Sequence, residues 1–157
     1  MSSTDPNPPS ASELSAFAYR LLGQREYSVS ELERRLRRKW PQLDDVALEE
    51  LLAALIDENL LSDERFAESY VRSQVQRHSG PLKIRAALRE RGVSEAHISA
   101  ALEDQAGAWT DLAAAWLARQ HPGPLDFDAR GTYYRRLVNR GFTHDQAMDA
   151  VNCHPGG

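Results

Sequence analysis

An all-α chain built from three tandem three-helix repeats is the fold that this sequence predicts, and three observations carry it. Leu/Ala/Arg/Glu-rich segments place apolar residues three and four apart, as in Leu48, Leu51, Leu52, Leu55 and Ile56, or Ile84, Ala87 and Leu88. Good helix formers at that period predict helices. All eight prolines fall between or outside those segments, at 6, 8, 9, 41, 81, 122, 124 and 155, and no Val/Ile/Thr alternation is sustained. The stretch Ile84-Arg85-Ala86-Ala87-Leu88-Arg89-Glu90-Arg91-Gly92-Val93-Ser94 returns as Tyr133-Tyr134-Arg135-Arg136-Leu137-Val138-Asn139-Arg140-Gly141-Phe142-Thr143.

Taken in order, residues 1–11 are Ser/Pro-rich and predicted to be a disordered tail. A first helix over Glu13–Gln24 leads through Arg25-Glu26-Tyr27-Ser28 into a second carrying Leu32 and Leu36. Trp40-Pro41 ends it, and Asp44 caps a third helix with Leu48 and Leu52 inward. In the next copy Ser62 is the expected N-cap, with Asp63 and Glu64 in the first turn where the dipole favours negative charge. Phe66 and Tyr70 share the core face of Asp63–Arg77, and Glu68 and Arg72 are spaced for an i,i+4 pair of about 0.2–0.5 kcal/mol. Arg91-Gly92 closes the following helix, since Gly at C′ takes the left-handed conformation and a basic residue suits the last turn. Ser94 then caps a helix with Ile98 and Leu102. The third copy runs from Trp109–Gln120 to a helix ended by Arg140-Gly141, and Thr143 with Gln146 forms a capping box before Ala147 and Val151. Caps at 44, 94 and 143 give a period near fifty residues, in the range of helical repeats that bury their faces partly on their neighbours. The expected units are 12–60, 61–107 and 108–153, with a tail over 154–157.

Composition narrows the function. Hydrophobic content of 41% and charged content of 27% over 157 residues are those of a globular protein. No apolar run reaches the length of a membrane span, the N-terminus lacks the features of a signal peptide, and the single Cys153 fits a reducing cytoplasm. Phosphate loops, CxxC, HExxH and G-x-S-x-G are all absent, and His78, His97, His121, His144 and His154 lack metal-ligand spacing. No catalytic residue, cofactor or metal is therefore expected.

The net charge of −4 conceals bands. Residues 40–64 hold eight acids and no base, 65–91 hold seven bases against two acids, and 92–128 hold six acids against one base. A banded field orients a partner even when the total is small. Arg34 and Arg38, and likewise Arg85 and Arg89, are four apart and repel each other locally. Charge kept at a local cost fits either a surface for an acidic partner or a merely solvated face. On the first reading the expected members are Arg34, Arg38, Arg65, Arg72, Arg77, Lys83, Arg85, Arg89, Arg130 and Arg135. Lys39, Arg91 and Arg140 are assigned to helix termination. The competing reading is a nucleic-acid-binding module of helix-turn-helix type, which the acidic total and the lack of a recognisable recognition helix oppose.

The chain resembles the RecX family of bacterial recombination regulators. Leu61-Ser62-Asp63-Glu64-Arg65-Phe66-Ala67-Glu68-Ser69-Tyr70-Val71-Arg72 carries the resemblance, with Gly80-Pro81, Ile84, Leu88 and Arg91-Gly92-Val93. Weaker matches are Arg25-Glu26-Tyr27-Ser28, Trp109 with Leu112-Ala113, and Arg140-Gly141-Phe142. The resemblance implies a non-enzymatic, elongated and curved helical array. It further implies a monomer that binds the RecA filament on DNA, with a weak direct contact to DNA, and inhibits its ATPase, strand-exchange and co-protease activities. Trp40-Pro41 departs from the family's Gly-type stop. Gly131 stands where the family tends to carry a basic residue, which leaves Arg130 as the substitute.

Overall fold

Helix starts in this chain are written by side chains that accept hydrogen bonds from the first turn. In a computed structural model, which describes residues 7–155, Ser10, Ser28, Asp44, Ser62, Ser94, Asp126 and Thr143 each accept from the backbone N–H three residues on. The helices are α1 Ala11–Leu22, α2 Val29–Lys39, α3 Asp45–Asp57, α4 Asp63–Gln76, α5 Pro81–Glu90, α6 Glu95–Glu103, α7 Trp109–Gln120, α8 Phe127–Asn139 and α9 His144–Asn152. No strand occurs among the described residues. Ser10 and Ala11, expected in the disordered tail, instead cap and open α1, because the Ser10 hydroxyl takes the Glu13 N–H at 3.1 Å. The rest of that expectation, residues 1–6, lies outside the described residues, as do 156–157.

Helix ends follow two chemistries. Gly92 and Gly141, at φ 78° and 99°, close α5 and α8 as left-handed residues, as the repeated Arg-Gly predicts. Asn59 and His78 do the same for α3 and α4 at φ 60° and 57°, positions that carry no glycine signal. Trp40 ends α2 in an extended-side conformation, φ −126° and ψ 86°, so the first triplet does lack the glycine stop.

Two apolar cores result. Leu14, Ala18, Leu32, Leu36, Trp40, Leu48 and Leu55 fill the first triplet, and Leu61, where the second unit was expected to begin, packs with them. The second core runs without interruption from Phe66 on α4 to Val151 on α9 and serves the second and third triplets together. In the second and third triplets the third helix is the main packing partner of the other two, whereas in the first the three helices pack on one another evenly.

The triplets are fastened by one recurring joint, in which the C-terminal end of one second helix meets the N-terminal end of the preceding one. At the junction of α8 with α5, Gly80 N–H and Leu82 N–H donate to Arg140 O at 2.7 Å and Gly141 O at 2.9 Å. The Arg140 guanidinium donates to His78 O at 3.0 Å and Arg77 O at 2.5 Å. At the junction of α5 with α2, the Ser28 hydroxyl donates to Arg91 O at 2.7 Å and Arg34 donates to Glu90 O at 2.8 Å. Both glycines sit against the receiving helix: a Cβ on Gly141 would lie 2.4 Å from Lys83 Cβ, and one on Gly92 2.1 Å from Ser30 Oγ. The C-terminal end of α8 thus meets the start of α5, and that of α5 the start of α2.

Candidate partner-binding surface

The two junctions bring the ends of the Arg-rich second helices together, and ion pairs decide which of their cations are free. Arg85 and Arg89 were expected to repel each other. Instead both reach Glu95 in the first turn of α6, Arg85 at 2.7 Å and Arg89 in a close hydrogen bond. The Arg89 hydrogen bond is the main reason that the Glu95 carboxyl is held below its ordinary range, and Arg89 is raised by the same contact. A carboxylate between two guanidiniums removes the local cost that singled this pair out. The expected Glu68–Arg72 pair does not form among the described residues, and Arg72 stays exposed without a carboxylate partner.

The other site residues divide in the same way. Arg65 is tied to Glu26 at 2.6 Å, linking the first two triplets, and reaches Asn59 at 3.3 Å. Arg34 is spent on Glu90 O in the joint. Arg130 donates to Asn152 Oδ1 at 2.6 Å, bracing α8 on α9. Arg38 is exposed near the end of α2. Arg77, Lys83 and Arg135 are exposed and outside the ion pairs of the described residues. Among the predicted residues, the exposed cations of the middle triplet outside these ion pairs are thus Arg72 on α4, Arg77 at its C-terminal cap and Lys83 on α5, whereas Arg89 is exposed but held by Glu95.

Two residues assigned to helix termination do more. Arg140 clasps the end of α4 through Arg77 O and His78 O while its guanidinium lies 5.0 Å from the Trp116 ring. Arg91 stacks on Tyr70 at 4.8 Å and lies 3.7 Å from Glu31 of the first triplet. The signal for this was the repeat of Arg-Gly itself, read as a stop when it is also a joint. Asp63 likewise does more than charge a helix start, because its carboxylate accepts the Val29 N–H at 2.8 Å across the first junction.

Phe66 is buried and Tyr70 is half-buried against the same core, as their spacing predicts. No group of three or more His, Cys, Asp or Glu side chains among the described residues is arranged to hold a metal ion. No helix among them is long and apolar enough to cross a membrane.

Comparison with known proteins converges on one family. The family model for the second three-helix domain of RecX matches residues 62–102. A regulatory protein RecX of Chromohalobacter salexigens is 44% identical over 135 residues, 85% of this chain and 88% of its own length. A regulatory protein RecX of Halorhodospira halophila is 38% identical over 136 residues, 85% of this chain and 83% of its own. The crystal structure of RecX from Lactobacillus salivarius superposes with a TM-score of 0.78 over 90% of this chain and 94% of its own, at 22% identity, and so shares the fold.

Proposed function

The chain belongs to the RecX family of regulatory proteins, and from that premise we propose that it binds the RecA recombinase filament on DNA. Acting in the cytoplasm as a single copy, it restrains the filament's ATPase, strand-exchange and co-protease activities and so modulates recombination and the SOS response. The observation that supports this reading is that Arg72, Arg77 and Lys83 of the middle triplet are exposed and lie outside the ion pairs of the described residues. Cations on a rigid, multiply bonded junction lose little conformational freedom when they meet an acidic surface. The partner face assigned here is that exposed subset, and Arg34, Arg65, Arg85 and Arg89 are engaged within the chain and help to hold it in place.

The test is the DNA-stimulated ATPase of RecA with DNA in excess over all protein. A stoichiometric amount of this chain lowers the rate, and Arg72→Glu combined with Lys83→Glu weakens that inhibition by about tenfold, the scale expected when like charges are placed across an interface. An unchanged ATPase with the unaltered chain would reject the function. Full inhibition by the double variant would reject the face. If the same cations bind DNA directly, affinity for duplex alone falls with salt at a log–log slope of about −0.9 per phosphate contacted. A flat profile would leave the protein contact alone.

A further inference from the structure

The groove between α8 and α9 corresponds by the repeat to a groove of the middle triplet that is shared with the next triplet. Aligning Ile84–Gly92 on Tyr133–Gly141 places Arg130, Gly131, Tyr134, Met148 and Val151 at the positions of Pro81, Leu82, Arg85, Ser99 and Leu102. In the middle triplet the latter residues line a groove of about 320 Å³ to which Trp109, Thr143 and Gln146 of the third triplet also contribute. The equivalent cavity of the third triplet has about 810 Å³ and is lined by α8 and α9 alone. Phe127 stands at its lip with 89% of its surface exposed, and Tyr134, Met148 and Val151 supply its walls.

A fourth repeat is excluded from this place by hydrogen bonding. Residues 126–128 align with 77–79, the segment that receives the Arg140 clasp, but here they form an extra first turn of α8. Asp126 O already accepts the Arg130 N–H at 3.0 Å, where Arg77 O and His78 O stand open to Arg140. Ala129 N–H, in the place of Gly80 N–H, is taken by the Asp126 carboxylate at 2.7 Å. A second copy of the chain has no matching corner either, since its free end carries Lys39-Trp40-Pro41 in place of Arg-Gly. The joint is gone while the groove beside it persists.

We propose that this groove receives a helix start of the partner protein, apolar on one face and acidic in its first turn. The internal precedent sets the shape, because the equivalent groove is lined in part by Thr143 and Gln146, the N-cap and first turn of α9, a helix start with Asp145 in its first turn. The charge is set by Arg130 and Arg135, which with Asp128 leave the lining net positive. Gly131 sets the room: it replaces Leu82 inside a helix, where glycine costs about 1 kcal/mol, and a side chain there would project toward Arg135.

The inference rests on the proposed function, and the experiment separates the two. Affinity for the RecA–DNA filament is measured by fluorescence anisotropy for the unaltered chain, for Gly131→Leu, and for Phe127→Ala with Arg135→Glu. Both variants weaken binding by about tenfold, as loss of an anchor site does. Melting temperature is maintained, and for Gly131→Leu it rises, since a glycine leaves a helix interior. Unaltered affinity in both variants overturns the groove assignment alone, whereas no binding by the unaltered chain overturns the function and the groove with it. An equal loss of affinity for DNA without RecA also overturns the groove as a protein site. So does concentration-dependent self-association of the unaltered chain in sedimentation that Gly131→Leu abolishes, because the occupant would then be a second copy.

Discussion

His78 shows how one residue can serve conformation and charge together. It closes α4 in the left-handed region, offers its carbonyl to Arg140, and lies near Arg119 and Arg140. Burial first, and then those two cations, lower its pKa below the ordinary 6.5. A lowered pKa means that the unfolded chain binds the proton more readily. The stabilising contribution is thus present above pH 6.5 and is lost as pH falls through the unfolded value toward the folded one. His78→Asn keeps a residue that tolerates the left-handed region but removes the titration. Its melting temperature should therefore fall less than that of the parent between pH 7 and pH 5, a comparison that thermal scans at the two pH values make directly. Local features of this kind are partly legible in sequence. Ser62, Ser94 and Thr143 could be named as caps because the bond spans three residues. The Arg65–Glu26 and Arg140–His78 links could not, because their partners are 39 and 62 residues apart.

At the scale of elements, the repeat unit was visible and the fastening between units was not. Period, caps and the Arg-Gly stops all lie within one copy, so a single chain displays them. The joint couples the end of one copy to the start of another, and only the fold brings Gly141 against Lys83. That contact makes Gly141 the sharper probe of the second junction. Gly141→Ala must hold φ near 99° with a Cβ placed 2.4 Å from Lys83 Cβ and 2.7 Å from Lys83 N. Backbone strain alone costs about 1–3 kcal/mol, and the displaced junction adds to it. The expected result is a lower midpoint in urea together with faster proteolysis between Arg77 and Gly80, and an unchanged midpoint would show that the junction yields without cost. Which cations of the candidate site are clamped was not legible for a related reason. Seven basic residues in one window are plain in the sequence, but whether Arg85 is free or clamped depends on Glu95 beyond a turn.

Over the whole molecule, the two junctions are unlike. The second is crossed by a shared apolar core as well as by backbone hydrogen bonds. The first separates two cores and is held by polar links, among them Arg65–Glu26, Ser28–Arg91 and Val29–Asp63. Repeat arrays unfold according to the strength of each interface. The first triplet should therefore unfold before the other two, and at a denaturant concentration that drops with added salt, since partly exposed ion pairs are screened. Trp40 reports on the first core and Trp109 and Trp116 on the second. Fluorescence of Trp40→Phe should consequently follow only the later transition, and coincident transitions for parent and variant would show that the array is one cooperative unit.

The unequal junctions also give the molecule a preferred place to bend. Two triplets welded by a common core form a stiff lever of six helices, with the first triplet as a smaller arm on an ionic pivot. Such a body adjusts the angle between its arms without disturbing the packing inside either one. Flexibility would then sit at one address, near Ser28 and Arg91, and ionic strength would set how freely the arm swings.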